Sequence, residues 1–258
     1  MSIGELEKNL KIKEAVIRAG KFALSKRLEA VARIKTDGTP TTDIELSIEK
    51  SILDNLADLY PGQPLLTEEQ GKFGNSADSL WILDPIDGTR VYLSGLPIWG
   101  VSLGRFSNDH PDLGFFYLPR LDDIYWGGPE IGFWKNETKI EQFTYRDPED
   151  PLAFILVSSN AHRYFKFTLP RVRAFGSLAA HMSYIADGTA LGAVMHRAKI
   201  WDIAGVLPLL AAAGISVEYL DGDPVNYMDL MDGRDIPKPV IAGHESVLPY
   251  LRENIKQL

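Results

Sequence analysis

The amino-acid sequence predicts an α/β or α+β fold in two layered halves. Two amphipathic helical patterns come first, and short aromatic segments with partly alternating hydrophobicity follow from about residue 79. After residue 151, strand-like and helix-like segments alternate towards the end of the chain. A chain of 258 residues with this mixture suits one large domain or two modest domains that share an interface.

Two long helices are predicted at the start of the chain. The first has hydrophobic residues at steps of three, four or seven, which place them on one face. That stripe consists of Leu6, Leu10, Ile17, Leu24, Leu28 and Val31. After the loop "KTDGTPTTD" (35–43), Thr42 and Glu45 have the spacing of a capping box that begins a second helix. The stripe of the second helix consists of Ile44, Ile48, Ile52, Leu56 and Leu59.

Successive, mostly antiparallel strands are predicted from residue 79 to residue 135. Gly, Pro and Asp separate short apolar segments there, a pattern that favours strands joined by turns. The segments are "SLWILD" (79–84), "IWGVSLG" (98–104), "LGFFYLP" (113–119), "DIYWG" (123–127) and "IGFWK" (131–135). The segment "RDPEDP" (146–151) is the best candidate for a linker, so we divide the chain into residues 1–148 and 149–258.

The second half is predicted to alternate strands and helices. The strands are "AFILVSS" (153–159), "ALGAVM" (190–195), "ISVEYL" (215–220) and "PVIAG" (239–243). The helices are "SLAAHMSYIADG" (177–188), "WDIAGVLPLLAAAG" (201–214) and "ESVLPYLREN" (245–254).

The composition excludes several classes of function. The net charge is −8, and the chain has no basic run of the kind with which nucleic-acid binders displace phosphate counterions. The absence of cysteine excludes disulfides and thiolate zinc sites. The first residues lack the apolar region of a signal peptide, and the longest apolar run, Ile203–Ile215, is too short to span a bilayer. We therefore expect a cytoplasmic protein that binds neither nucleic acid nor membranes.

The tripeptide Asp-Gly-Thr occurs three times, at Asp37, Asp87 and Asp187. Asp-Gly is common in turns, because glycine adopts positive φ and aspartate bonds its own backbone. Asp37 lies in the predicted interhelical loop, and Asp187 precedes Gly188 at the predicted end of a helix. A loop and a helix stop explain these two copies.

The copy at Asp87 differs, because the buried-looking strand "LWIL" (80–83) runs directly into Asp84. Pro85 sets the bend between the two carboxylates, which a rigid strand end can hold close together. Divalent cations would remove their mutual repulsion, and amides at a helix start after Gly88 would bind phosphate. The pattern favours a phosphoryl-transfer site, with a solvated Asx turn as the alternative.

Three segments in order resemble the signatures of one known family. The Asp-x-Asp-Gly-Thr motif of haloacid-dehalogenase-type phosphatases is excluded, since it needs an acid at Pro85. Instead, "TEEQG" (67–71), "WILDPIDGT" (81–89) and "WDIAGVLPLLAAAG" (201–214) resemble the inositol monophosphatase family along nearly the whole chain. The resemblance implies a layered α-β-α-β-α sandwich of the inositol monophosphatase/fructose-bisphosphatase type, usually a homodimer, with a Mg²⁺-dependent, lithium-sensitive phosphatase activity.

Carried over residue by residue, the resemblance implies a set of metal ligands. These are Glu68, Asp84, the carbonyl of Ile86, Asp87 and Asp202. Glu68 would also orient the attacking water, Asp84 would bridge two ions, and the Thr89 hydroxyl would help to activate the water. The set offers only oxygen, which suits two or three Mg²⁺ ions, with Mn²⁺ as a possible substitute. Residues 1–148 would then carry most metal ligands, and residues 149–258 would carry Asp202 and the substrate contacts.

The resemblance also implies phosphate and substrate contacts, and this chain departs from the family at one of them and at one further position. The contacts are Asp87, Gly88, Thr89, Gly176, Ser177, Met195 and His196. Many inositol and histidinol phosphatases have a substrate-contacting acid in place of Met195. Glu45 stands where the family has an Asp that bonds the catalytic Thr near a third metal site. Glu45 either keeps that role or only closes the capping box.

Basic residues surround the predicted site. The segment "MHRAK" (195–199) offers His196, Arg197 and Lys199, either as substrate contacts or as a solvated basic turn. The interhelical loop could carry Lys35 towards the phosphate. Glu69, next to Glu68, is expected to be a surface acid.

The sequence favours a Mg²⁺-dependent phosphomonoesterase that hydrolyses a small phosphorylated polyol. Inositol 1-phosphate is the family default, histidinol phosphate is the second candidate, and fructose 1,6-bisphosphate or a phosphoadenosine nucleotide is the third. A non-catalytic relative that binds phosphate esters or a protein partner is the alternative of a different class, suggested by Glu45 and Met195.

Overall fold

The computed structural model describes residues 2–36, 38–74, 78–140 and 146–258. Asp37 lies outside the described residues, so its assignment to an interhelical loop stays a prediction. The helices are α1 (Ile3–Lys26), α2 (Asp43–Leu59), α3 (Thr89–Ser94), α4 (Leu178–Ala186), α5 (Ile200–Ala204), α6 (Leu207–Ala212) and α7 (Leu248–Asn254).

The strands run from β1 near the start of the chain to β17 at its end. In the first half they are β1 (Ala32–Ile34), β2 (Pro40–Thr42), β3 (Leu65–Thr67), β4 (Gly71–Phe73), β5 (Ser79–Asp87), β6 (Gly100–Ser107), β7 (His110–Leu118), β8 (Asp123–Gly128), β9 (Gly132–Lys135) and β10 (Thr138–Ile140). In the second half they are β11 (Ile155–Val157), β12 (Phe165–Phe167), β13 (Val172–Arg173), β14 (Gly192–Met195), β15 (Ile215–Tyr219), β16 (Val240–His244) and β17 (Ile255–Gln257).

Two larger sheets alternate with three helical layers, and the pairs β1-β2 and β12-β17 form two small two-stranded sheets in the described residues. The larger sheet has the strand order β10-β9-β8-β7-β6-β5-β3-β4, antiparallel except where β3 pairs with β5. The smaller sheet has the order β13-β11-β14-β16-β15. Helices α1 and α2 cover one face of the larger sheet, α4 to α6 fill the space between the sheets, and α7 packs on β16. The predicted α-β-α-β-α sandwich is confirmed.

Strand β5 is buried on both faces, which fixes the strand end that follows it. Trp81 and Leu83 pack towards α1 and α2, whereas Ile82 packs towards the helices between the sheets. All three are fully buried, and burial of such side chains contributes about 1.5–3 kcal/mol each. The strand therefore holds Asp84 in a rigid position.

The predicted stripe of α2 is confirmed, whereas that of α1 is corrected. Helix α1 ends at Lys26, so Leu28 and Val31 lie beyond it and are exposed. Half of the residues on its buried face are alanine or glycine. A Cβ on Gly20 would lie 2.5 Å from the ring of Tyr117, so small residues allow α1 to approach β7 closely. The face comprises Asn9, Ile12, Lys13, Ala15, Val16, Ala19, Gly20 and Ala23.

The helix predicted for residues 201–214 is two short helices, α5 and α6. Gly205 lies where the chain passes against the larger sheet, and a Cβ there would meet the Ser102 hydroxyl oxygen at 2.4 Å. Pro208 then lies in the first turn of α6, where a missing amide hydrogen costs nothing. The close approach to the sheet explains the break.

The division at residue 148 stays a prediction. Helices α4, α5 and α6 belong to the second half, yet they pack directly on the larger sheet of the first half.

Within the described ranges, no helix is both long enough and apolar enough to cross a membrane.

Candidate active site

The site begins where β5 ends. The pairing of β5 with β6 shifts register between Asp84 and Asp87, and the backbone amide of Ile86 donates to Asp84 Oδ1 at 3.0 Å. This is the Asx turn that the sequence allowed, but it is not solvated. Asp84 is 2% exposed and Asp87 is 4% exposed. Two carboxylates are therefore held in the protein interior at one strand end.

Asp202 completes a cluster of three carboxylates. It lies in the first turn of α5, and its Oδ2 accepts from the backbone amide of Lys199 at 2.7 Å. One oxygen each of Asp84, Asp87 and Asp202 lies within 4.8 Å of the others. Burial, followed by repulsion from neighbouring carboxylates, raises the pKa of Asp84 and of Asp202 well above the usual range.

A divalent cation fits this cluster. Buried carboxylates of like charge repel one another, and a cation held between them supplies the missing counter-charge. The donors are carboxylate oxygens, which suit Mg²⁺ or Mn²⁺ better than Zn²⁺. The residues present therefore fit the metal that the sequence predicted.

Asp87 also holds the start of α4. The Ser177 hydroxyl and the amide of Ala179 donate to Asp87 Oδ2, and the amide of Leu178 donates to Oδ1 at 3.2 Å. These hydrogen bonds lower the pKa of Asp87, but burial outweighs them and raises it to about 7. Ser177 is fully buried and caps α4 through Ala180. The structure thus places Ser177 behind Asp87 and not on a cavity wall.

Lys35 pairs with two neighbouring glutamates. Its ammonium nitrogen lies 2.8 Å from Glu68 Oε1 and 2.5 Å from Glu69 Oε1. Burial lowers the pKa of Lys35, but the charges and hydrogen bonds of the two glutamates outweigh it and raise that pKa. Burial raises the pKa of Glu68 in spite of Lys35. The Glu69 side chain is 6% exposed, so the prediction of a surface acid is wrong.

Glu45 adopts both arrangements that the sequence left open. Its Oε1 accepts from the Thr89 hydroxyl at 2.9 Å. Its Oε2 accepts from the backbone amide of Thr42, which closes one side of the capping box, and from the Thr41 hydroxyl at 3.1 Å. The Thr89 hydroxyl also lies 3.1 Å from the carbonyl oxygen of Ile86. Thr89 is thus held between Glu45 and the end of β5.

Most of the predicted site residues line one cavity of about 220 Å³, here called the carboxylate cavity. Gly88 and Gly176 form part of its wall at φ of 90° and 86°, and a Cβ on Gly176 would lie 2.5 Å from Val91. The positions therefore require glycine. The predicted residues on this wall are Glu68, Asp84, Ile86, Asp87, Gly88, Thr89, Gly176 and Asp202.

A second cavity of about 460 Å³, here called the basic cavity, shares Thr39, Glu68 and Asp202 with the first. Its other lining residues are Lys35, Arg197, Lys199, Trp201 and Asp235. Arg197 and Lys199 therefore line a cavity and are not merely a solvated turn. No sequence pattern indicates Asp235, since only the folded chain brings its loop to the site.

Besides Ser177, two predicted substrate contacts are not brought to either cavity. Met195 is 1% exposed and packs in the core between the two sheets. The His196 ring packs on Tyr164, with ring centroids 4.2 Å apart, and on Phe165. The alternation of β14 explains this placement, because consecutive side chains point to opposite faces of a sheet.

Comparisons with known proteins identify the family of this chain. A model of the inositol monophosphatase family matches residues 5–254. The fructose-1,6-bisphosphatase/inositol-1-monophosphatase of Aquifex aeolicus is 26% identical over 242 residues, which cover 88% of this chain and 91% of that protein. The histidinol-phosphatase of Chlorobaculum parvum is 26% identical over 211 residues, which cover 78% of this chain and 81% of that protein.

A solved structure shares the fold. The extragenic suppressor protein suhB of Bartonella henselae matches with a TM-score of 0.80 and 22% identity, covering 93% of this chain and 95% of that chain. The chain belongs to the inositol monophosphatase family, a family of metal-dependent phosphatases that act on small phosphate esters. The resemblance predicted from the three sequence segments is confirmed.

Proposed function

We propose that this protein is a Mg²⁺-dependent phosphomonoesterase that hydrolyses a small phosphorylated polyol. One observation carries the proposal: the acids Glu68, Asp84, Asp87 and Asp202 line the same small cavity as Thr89 and the glycine backbone at Gly88. Phosphoryl transfer to water uses carboxylates that hold metal ions next to backbone amides that hold the phosphate.

The proposed metal ligands are the four acids and the carbonyl of Ile86. Asp84 would be shared by two ions, Glu68 and Ile86 would serve one, and Asp87 and Asp202 would serve the other. When bound, the ions polarise the phosphoryl group and lower the pKa of water. A third ion near Glu45 belongs to the same proposal.

The protein's own groups orient the reactants. The Thr89 hydroxyl donates to Glu45, so its oxygen can accept a hydrogen bond from the attacking water. Glu68 lies on the cavity wall and would orient that water. The backbone at Gly88 and Thr89, where α3 begins, would hold the phosphate.

Inositol 1-phosphate is the first candidate substrate, because relatives are named for this activity. Histidinol phosphate, fructose 1,6-bisphosphate and a phosphoadenosine nucleotide are the alternatives. Met195 is buried, so its side chain makes no contact that would explain a preference for a polyol. A non-catalytic phosphate-ester-binding relative is the alternative of another class.

A phosphate-release screen tests the proposal. Purified protein with Mg²⁺ is offered the four candidate esters and p-nitrophenyl phosphate, and inorganic phosphate is measured. We expect release from p-nitrophenyl phosphate and a higher kcat/KM for at least one candidate ester. No release from any ester, by a folded protein that binds Mg²⁺, would favour the non-catalytic alternative.

The remaining expectations concern the whole protein. We propose a homodimer in the cytoplasm, with residues 1–148 carrying most metal ligands and residues 149–258 carrying Asp202. Light scattering of the purified protein tests the oligomeric state directly. A monomer at micromolar concentration would contradict the proposed dimer without affecting the proposed chemistry.

A further inference from the structure

A buried glutamate on α2 has no part in the chemistry proposed above. Glu49 is 1% exposed and lies one helical turn after Glu45, so both acids extend from the same face of α2. A carboxylate that is withdrawn from water needs hydrogen-bond donors to replace the water. The groups that donate to Glu49 therefore indicate its role.

The donors come from the turn that joins β3 to β4. Glu49 Oε1 accepts from the backbone amide of Glu69 at 2.9 Å, and Oε2 accepts from the side-chain amide of Gln70 at 2.8 Å. Both donors directly follow Glu68, the acid on the wall of the carboxylate cavity. One oxygen of Glu49 thus binds the main chain of this turn, and the other binds a side chain of the same turn.

The turn is also held from its other side. The backbone amide of Glu68 donates to the carbonyl oxygen of Leu83 at 3.3 Å, next to the parallel pairing of β3 with β5. The backbone of Glu68 therefore lies between a bond to β5 and the bonds of its neighbours to α2. Loss of the acceptor at Glu49 would take from the Glu69 amide its partner in a part-buried position, which favours a shift of the turn.

We infer that Glu49 is a positioning residue for the proposed metal site, and that it acts through Glu68 and not by contact with an ion. It fixes the turn so that the Glu68 carboxylate stays on the wall of the carboxylate cavity. Helix α2 then positions two parts of the site, since Glu45 holds Thr89. The inference rests on the proposed function and adds to it a residue that sets the affinity for metal.

The affinity for a divalent cation tests the inference. Glu49→Met keeps an unbranched side chain of similar length but offers no oxygen to the turn. In calorimetric titrations with Mn²⁺, its dissociation constant should exceed that of wild type by about tenfold or more, as when a group that orients a metal ligand is removed. If Glu49→Met does not fold, Glu49→Asp, which draws the carboxylate back by one methylene, takes its place with the same expected direction. An unchanged dissociation constant in the folded variant would overturn the inference.

Glu49→Gln should rescue the site, because it keeps an oxygen at this position. The glutamine carbonyl can accept from the Glu69 amide, and its amide can donate to Gln70 once the Gln70 amide group turns over. We expect a Mn²⁺ dissociation constant within about threefold of the wild-type value. A loss as large as that of Glu49→Met would overturn the inference, because the hydrogen bonds to the turn would then not be the cause.

Ile52→Ala is the matched control for lost stability. Ile52 is buried on the same helix, and its truncation leaves a cavity but removes no hydrogen bond of the turn. The Mn²⁺ dissociation constant and the Mg²⁺ concentration for half-maximal hydrolysis should both stay at their wild-type values. A loss in Ile52→Ala equal to that in Glu49→Met would overturn the inference, because general destabilisation would then explain both.

A double variant shows whether Glu49 acts through Glu68. Glu68→Gln should itself weaken Mn²⁺ binding, and the addition of Glu49→Met should have little further effect, because residues of one network are not additive. A further loss of about tenfold in the double variant would overturn the assignment of the effect to Glu68.

The same titrations separate this inference from the proposed function. If no ester is hydrolysed but Glu49→Met weakens Mn²⁺ binding, only the proposed function fails. If esters are hydrolysed, and Glu49→Met changes neither the Mn²⁺ dissociation constant nor the Mg²⁺ concentration for half-maximal hydrolysis, only this inference fails.

Discussion

At the scale of single residues, Glu45 contacts the candidate site and the start of α2 at the same time. One carboxylate oxygen accepts from the Thr89 hydroxyl, and the other accepts from the backbone amide of Thr42 at the start of α2. The two roles predicted as alternatives therefore coexist. Burial raises the pKa of Glu45 to about 7 although its hydrogen bond from Thr89 lowers it, and the charge of Glu69 adds to the rise.

The hydroxyl of Thr89 is predicted to matter for catalysis and not for folding. Thr89→Ser keeps the hydroxyl, so we expect kcat within about tenfold of wild type. Thr89→Val keeps the shape but removes the hydroxyl, and we expect kcat to fall by about 10² or more. Circular dichroism should show the same fold for both variants. Full activity of Thr89→Val would show that the hydroxyl plays no part in the reaction.

Asp84 is predicted to be essential for turnover. Asp84→Asn keeps the volume and removes one carboxylate from a buried cluster of like charge, so we expect less than about a tenth of the wild-type kcat. In chelator, the variant should melt no lower than wild type, because repulsion within the cluster is relieved.

Asp187→Asn is the matched control for Asp84→Asn. Asp187 begins a copy of the Asp-Gly-Thr tripeptide other than the one at Asp87, which follows Asp84. Its carboxylate accepts from the amide of Thr189 and the hydroxyl of Tyr125, both away from the cavities. We expect kcat within a few-fold of wild type. Loss of activity in this variant without unfolding would contradict the choice of Asp87 among the three copies.

At the scale of elements, local patterns predicted some helices and misplaced others. The stripe of α2 was predictable, because its cap and its large apolar residues are adjacent in sequence. The buried face of α1 was not predictable, because alanine and glycine contribute little to a hydrophobic pattern. Gly20 is needed there because the helix approaches the ring of Tyr117 closely. The bond from Ser177 to Asp87 joins residues 90 positions apart, which no local pattern reports.

Helix α4 carries a buried histidine that makes stability depend on pH. His181 Nε2 accepts from the amide of Phe175 at 3.0 Å, and burial lowers its pKa from 6.5 to about 4. The unfolded chain therefore binds the proton more readily between pH 6.5 and pH 4. Neutral His181 therefore contributes its full share to the free energy of unfolding above pH 6.5, and this contribution is lost as the pH falls towards 4.

We predict a flatter pH dependence of unfolding for His181→Gln. Between pH 7 and pH 5, the free energy of unfolding of wild type should fall by about 2 kcal/mol more than that of the variant. Urea unfolding at several pH values measures this difference. His162→Gln on the surface is the control. Parallel profiles for wild type and His181→Gln would show that His181 is not kept neutral by burial.

At the scale of the whole molecule, the site is assembled from distant elements. Strand β5 supplies Asp84 and Asp87, α5 supplies Asp202, and α4 is fixed to Asp87 through its first amides. Three motifs in the sequence were enough to predict the acids, because each sits at an element end. The basic cavity needed the structure, since the loop that brings Asp235 to Arg197 has no sequence signature.

The central claim is that the buried acids bind divalent cations for phosphate-ester hydrolysis. The most direct measurement is release of p-nitrophenol from p-nitrophenyl phosphate by wild-type protein, first in excess chelator and then with Mg²⁺ restored. We expect no turnover in chelator, recovery with Mg²⁺ and suppression by Li⁺. Full activity in excess chelator would contradict the account, because the four acids would then have no metal to hold during the reaction.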